Sequence, residues 1–362
     1  MRLGVEAALV GGELVPGDVA VAGGVIEAVG LSGPGHGIAA PGFVDLQVNG
    51  FAGVDLMATD HEGYVRVGEA LLATGTTAFQ PTFVTAPEAA LLDALRAMPV
   101  DGIGPRVLGA HVEGPFLSPR RAGVHDRRYL SAPDLGLLRR LLDAAPVSQV
   151  TLAPELPGAF ELVDELVARE ITVSAGHTDA TAAEAHLAFD RGVRTVTHLF
   201  NAMRASTARD PSIALAALAR PDVIVQVIVD LHHVAPDTVT VAWQAASARF
   251  ALVTDAAPAA GMGDGEFVLG GRPVRAADGV VRGPEGQLAG SALTMIEGVK
   301  NLVSLGIALP DALRAASEVP ARVARREDLG RLAPGAVADV VVLDDRMEIV
   351  RVLVDGGERV AR

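Results

Sequence analysis

A chain of 362 residues can hold one large domain of alternating strands and helices, which needs roughly 250 residues, plus a small companion. Half of it is hydrophobic, so a large core is available, while a formal charge of −14, from 30 basic and 44 acidic residues, opposes polyanions and excludes nucleic acid as the expected partner. The lack of cysteine excludes disulfides and thiolate ligands, so any metal must be held by nitrogen and oxygen.

The opening stretch scatters Glu6, Glu13 and Asp18 and has no basic-then-apolar leader pattern. No apolar run of about 18 residues suggests a membrane span, so no membrane association and a cytoplasmic location are expected. Residues 1–40 read as short strands punctuated by Gly11-Gly12 and Gly23-Gly24. From residue 41 the pattern becomes strand then helix, repeated. Eight apolar segments qualify as strands: 42–48, 76–82, 107–113, 150–155, 172–177, 195–200, 223–229 and 250–255. Helical stretches such as HEGYVRVGEALLATG and AFELVDELVARE separate most of them.

Near-continuous apolar strands alternating with helices imply a parallel sheet covered by helices, and eight repeats favour closure. The expected fold class is therefore α/β, with a (β/α)8 TIM-like barrel over residues 41–335. Within it, the Gly-turned hairpins of 262–290 read as a β excursion toward the small domain. Residues 336–362 return to short strands, VADVVVLDD and EIVRVLVDGG, predicted to pair with residues 1–40 in one small β-sandwich domain built from both termini.

Glu113, His177, His198 and Asp255 each stand at or near the C-terminal end of a predicted strand, the face on which barrel enzymes place their sites. A lone His at a strand end is usually a satisfied polar residue. Two imidazoles with a carboxylate, however, suit a catalytic divalent metal that keeps one position open for water. Such water attacks an amide carbonyl, and Asp255 is placed to take its proton and return it to the leaving amine. A helix N-cap is the other use for an Asp there. The donor set fits zinc, and also iron, cobalt or manganese. Against the overall negative charge, an anionic substrate needs local cations, which draws attention to Arg209 and the pair His232-His233.

The strings PGFVDLQVNG, HVEGPF, SAGHTDA, THLFNAM, VTDA and LAGSALTM, in this order and spread almost end to end, resemble the N-acetylglucosamine-6-phosphate deacetylases of the amidohydrolase superfamily. The resemblance implies removal of acetate from N-acetylglucosamine 6-phosphate to give glucosamine 6-phosphate. It implies Glu113, His177 and His198 as metal ligands, Asp255 as catalytic acid and base, and His125 as a contact to the sugar and its acetamide. It further implies Asn201 and Ala202 on the phosphate side. Arg209 and His233 match phosphate contacts that in this family come from the neighbouring subunit of a homodimer, with His232 as the alternative to His233.

One departure bears on the metal count. Many amidohydrolases hold a second metal with a His-x-His pair on the first strand, where this chain reads Gln47-Val48-Asn49. An amide is a poor ligand beside imidazole, so one divalent metal per subunit is expected. Gln47 then contacts Glu113 or the water, or simply hydrogen-bonds at its strand end. Asn49 and His111 are candidates to brace the site from behind; His111 equally reads as packing. The single lysine, Lys300, excludes a metal-bridging modified lysine on the fourth strand, which ends in Glu155. His36, His61 and His186 read as loop or helix-surface residues. Two alternatives stay open: a deacetylase of N-acetylgalactosamine 6-phosphate or another acetamido sugar, and a non-catalytic sugar-phosphate-binding homologue.

Overall fold

The computed structural model describes residues 1–361. Its central sheet has eight parallel barrel strands: β1 (Phe43–Val48), β2 (Thr76–Val84), β3 (Ala110–Glu113), β4 (Val147–Leu152), β5 (Thr172–Ala175), β6 (Thr195–Val196), β7 (Ile224–Ile228) and β8 (Phe250–Val253). Each pairs with the next in chain order. Helices on the outside bury one apolar face against them. The helix Ala182–Arg191 is representative: Thr181 and Glu184 form a reciprocal capping box, Ala185, Ala188 and Phe189 are buried, and Gly192 ends it at φ 120°.

Closure between β8 and β1 is sparse in backbone bonds. One bridge joins Val48 to Ala256, with the Asn49 N–H donating to the Ala256 carbonyl at 2.8 Å. The Gly50 N–H donates to the same carbonyl at 3.1 Å and the Ala256 N–H to the Gln47 carbonyl at 3.3 Å, and a side chain adds to these. The buried carboxylate of Asp45 accepts from the Thr254 N–H at 3.2 Å and from its hydroxyl at 2.5 Å. Burial pushes this carboxyl up to about 6, and the Thr254 and Gln47 hydrogen bonds only partly offset that.

The strands are shorter than the sequence pattern suggests at the ends that matter. The segment 107–113 splits into Arg106–Val107 and β3, because Gly109 between them takes φ 92° and a Cβ there would stand 3.0 Å from the Pro146 carbonyl. Glu155 lies past the end of β4, in a turn. His177, His198 and Asp255 lie two residues beyond their ladders, with left-handed backbones at φ 47°, 32° and 50°.

The terminal strands form a separate sheet in the order 13–16, 7–10, 38–41, 340–343, 349–354, 357–361. Its centre is the antiparallel pair Ile38–Pro41 with Val340–Leu343, one strand from each end of the chain. The hairpin of 18–22 and 25–31 shares a core with it, through Val19, Val21 and Ile26 beside Val340, Val342 and Leu353. The excursion forms β9 (Gly265–Leu269), β10 (Arg272–Ala277) and β11 (Val280–Arg282), and this sheet does not join the terminal one. It packs at the barrel mouth instead: Leu269, Val274, Ala276 and Val281 cluster with Ala257 and Ala259, just after β8. The Gly270 N–H is held by Asp55 at 2.8 Å and the Arg272 guanidinium by the Val124 carbonyl at 2.8 Å. Among the described residues no helix is long and apolar enough to cross a membrane.

Candidate active site

A cavity of about 250 Å³ opens at the C-terminal face of the barrel, lined by Asn49, Glu113, His125, His177, His198, Asn201, Ala202, His233 and Asp255, with Leu269 from the tip of the excursion. Glu113 reaches it from the last residue of β3. The positive φ of His177, His198 and Asp255 costs on the order of 1–3 kcal/mol each for a residue with a Cβ, and is tolerated where the surroundings over-determine it.

Three donor atoms converge. Glu113 Oε1 lies 3.1 Å from His198 Nε2 and 3.3 Å from His177 Nε2, and the two imidazole nitrogens are 3.1 Å apart. Ligands about 2.0–2.1 Å from a tetrahedral ion stand roughly 3.3 Å from one another, so the trio has the spacing of one face of such a site. Glu113, His125 and His177 also converge, within 4.8 Å. Tautomers separate the two trios. His177 Nδ1 lies 2.9 Å from the Arg121 carbonyl, which can only accept, so Nδ1 carries the hydrogen and Nε2 offers a lone pair. His125 Nδ1 accepts the Thr85 N–H at 3.3 Å, so in the neutral ring Nε2 carries the hydrogen and is a donor, not a ligand. Burial holds His125 down to about 3 and hence neutral. A divalent metal therefore fits Glu113, His177 and His198.

Burial by itself would raise the Glu113 carboxyl, but when the His177 and His198 rings are protonated their hydrogen bonds and charge hold it well below the carboxylate range. Gln47 donates its amide to both Glu113 oxygens, at 3.2 and 3.3 Å. Asn49 donates to Asp255 Oδ1 at 2.7 Å and leaves Oδ2 for other work. Burial first, then the nearby Glu113 charge, lifts the Asp255 carboxyl to about 7. His111 sits beneath the site, fully buried between the hydroxyls of Thr151, at 2.7 Å, and Thr82, at 3.2 Å. It is not among the residues that line the cavity.

His233 lines the cavity and His232 is exposed. The His233 ring is fixed by Asp230, Nδ1 to Oδ2 at 2.6 Å. Burial would raise Asp230, and the His233 contact with the His232 and His233 N–H groups lowers it instead. Arg209 is not brought to this cavity. It lies exposed in the 205–210 stretch and makes no ion pair among the described residues. Sequence reasoning passes over Asp230 and Arg121. The first is signalled by a carboxylate three residues before His233; the second acts through its carbonyl, which no side-chain pattern reveals.

The amidohydrolase family matches residues 38–359, and the chain belongs to that family. N-acetylglucosamine-6-phosphate deacetylase from Vibrio furnissii is 34% identical over 324 residues, covering 87% of this chain and 81% of that one. N-acetylgalactosamine-6-phosphate deacetylase from Escherichia coli O157:H7 is 33% identical over 324 residues, 87% of this chain and 86% of its own. Among solved structures, a substituted variant of N-acetyl-D-glucosamine-6-phosphate deacetylase from Mycobacterium smegmatis, in complex with N-acetyl-D-glucosamine-6-phosphate, superposes with a TM-score of 0.95 at 34% identity, over 100% of this chain and 99% of that one.

Proposed function

We propose that the protein hydrolyses the acetamide of N-acetylglucosamine 6-phosphate, releasing acetate and glucosamine 6-phosphate. The observation that carries this reading is the convergence of Glu113, His177 and His198 beside Asp255 in one cavity. The named activities of its relatives support it. Glu113, His177 and His198 would hold one divalent ion, zinc suiting the donor set best. Such an ion, when bound, polarises an amide carbonyl and acidifies water.

The chain's own residues supply the rest. Asp255 takes the proton of the attacking water on Oδ2 and delivers it to the departing amine, a task suited to a carboxyl raised toward neutrality. Asn49 fixes that carboxyl's orientation through Oδ1. Gln47 keeps Glu113 turned toward the histidines. His125 directs an Nε2–H into the cavity, where it donates to an oxygen of the acetamido sugar. Asn201, Ala202 and the Asp230-anchored His233 form the phosphate end. Arg209, remote from this chain's own cavity, completes it in a homodimer by reaching the neighbouring subunit's phosphate. A guanidinium fork with an imidazole suits a phosphate dianion.

The E. coli relative named for the galactosamine sugar favours one second reading, the C4 epimer as substrate. Acetate release measured over a panel of phosphorylated and free N-acetylhexosamines, with metal content determined on the same sample, tests both. The glucosamine reading requires the highest kcat/KM on N-acetylglucosamine 6-phosphate and about one divalent ion per chain. Equal activity on the unphosphorylated sugar would sink the phosphate assignment.

A further inference from the structure

Three loops of the site meet at one carboxylate outside the proposed metal and substrate sets. Asp179 stands two residues after His177 with its side chain 11% exposed. Arg121 reaches its Oδ1 with two nitrogens, Nε at 2.8 Å and Nη2 at 2.7 Å. Arg120 Nη1 lies 3.2 Å and Arg204 Nη1 3.9 Å from Oδ2. Arg120 and Arg121 belong to the loop that continues to His125. Arg204 belongs to the loop that begins with Asn201 and Ala202. The backbone of Asp179 is itself anchored, its N–H donating to Glu155 at 2.7 Å while the Thr178 hydroxyl donates to the other Glu155 oxygen at 2.5 Å.

Arg121 is engaged twice. Its carbonyl fixes the His177 ring through Nδ1, at 2.9 Å, while its guanidinium grips Asp179. The Ser118 N–H, on the same loop, donates to the His177 carbonyl at 2.9 Å. The Arg121–Asp179 pair thus closes a ring that starts and ends on residue 177, and it sets where the carbonyl stands against the imidazole. Arg120, with its side chain 80% exposed, is the weak arm of the cluster.

We infer that Asp179, acting through Arg121, is a positioning residue that presents His177 to the metal and holds the His125 loop against the substrate cavity. The inference rests on the reading of Glu113, His177 and His198 as metal ligands. Partners that orient a ligating histidine are generally worth about 10–100-fold in metal affinity.

The test uses the full chain as wild type, Asp179→Asn, Arg121→Met, the double variant and Asp179→Glu. Zinc affinity is read by competition with a chromogenic chelator, and KM and kcat for N-acetylglucosamine 6-phosphate are measured on the zinc-loaded forms. Each single neutral variant should bind zinc about 10–100-fold more weakly and show a raised KM. The double variant should be no worse than the worse single one, because one pair is broken once. Asp179→Glu should recover part of the loss. If the neutral variants misfold, Arg121→Lys, which keeps the charge but not the fork, should give an intermediate zinc affinity. Single variants within about twofold of a zinc-binding wild type, or losses that multiply in the double variant, overturn this inference alone. A wild type that takes up no zinc overturns the ligand assignment and this inference with it.

Discussion

Asp45 offers a direct way to ask whether a buried carboxylate at the barrel seam limits stability. It is 0% exposed, and burial lifts its carboxyl from an ordinary 3.8 to about 6. A difference of that size corresponds to about 3 kcal/mol between the two protonation states. Because the folded value lies above the unfolded one, the stability tied to the protonated form is fully present below about 4, is lost as pH rises through about 6, and is gone above that. Asparagine fits the same space. Its carbonyl oxygen can accept the Thr254 and Gln47 N–H groups, now held at 3.2 and 3.3 Å. Its amide can donate to the Thr254 hydroxyl, which then turns its own proton to the Gln47 carbonyl, already 3.3 Å away. The Asp45→Asn variant should therefore gain on wild type between pH 4 and pH 7. Its thermal midpoint, measured on metal-free protein, should move up relative to wild type by about 4 °C over that range for a chain of this size. A midpoint difference that stays flat with pH would refute the reasoning, whatever its sign.

Asp255→Asn should lower kcat by at least about 10²-fold while zinc content and KM change little, since an amide cannot accept the proton; near-normal turnover would remove Asp255 from the proton path. Arg209→Ala should raise KM for the phosphorylated sugar about 10-fold with kcat nearly kept, and sedimentation of the wild type should give a dimer. An unaltered KM or a monomer rejects the shared phosphate site. Arg249→Leu removes a buried guanidinium that donates to the carbonyls of Ala217 and Val223, at 2.9 and 2.8 Å, and of Leu218. Unfolding free energy should fall by about 2–4 kcal/mol, with the kcat of the folded enzyme little changed. An unchanged melting curve would show those carbonyls satisfied by other means.

Much of this architecture is legible in the chain itself, because the barrel is written in local patterns. Apolar runs such as those ending at Val48 and Val253, alternating with capped helices, leave a parallel closed sheet as the way to bury both faces. The pairing of the two ends was readable from Gly-punctuated strands that have no helix to cover them. Glu113, His177, His198 and Asp255 stand out because polar residues at apolar strand ends are conspicuous against their neighbours. Tertiary structure alone decided what these residues can do. Sequence puts His177 at a strand end and His125 in a loop, but not their ring protons; the Arg121 carbonyl makes one a lone-pair donor, and the Thr85 N–H makes the other a hydrogen-bond donor. The hairpins of 262–290 point toward the small domain by composition, yet the apolar residues after β8 seat them on the barrel mouth. His and Asp enter left-handed backbone more readily than most residues with a Cβ, yet it stays uncommon for them, so local propensity alone does not place His177, His198 and Asp255 there. That conformation, like the seam at Asp45 and the grip of Arg121 on Asp179, depends on segments far apart in sequence meeting at one end of the barrel, which periods of two or 3.6 residues do not encode.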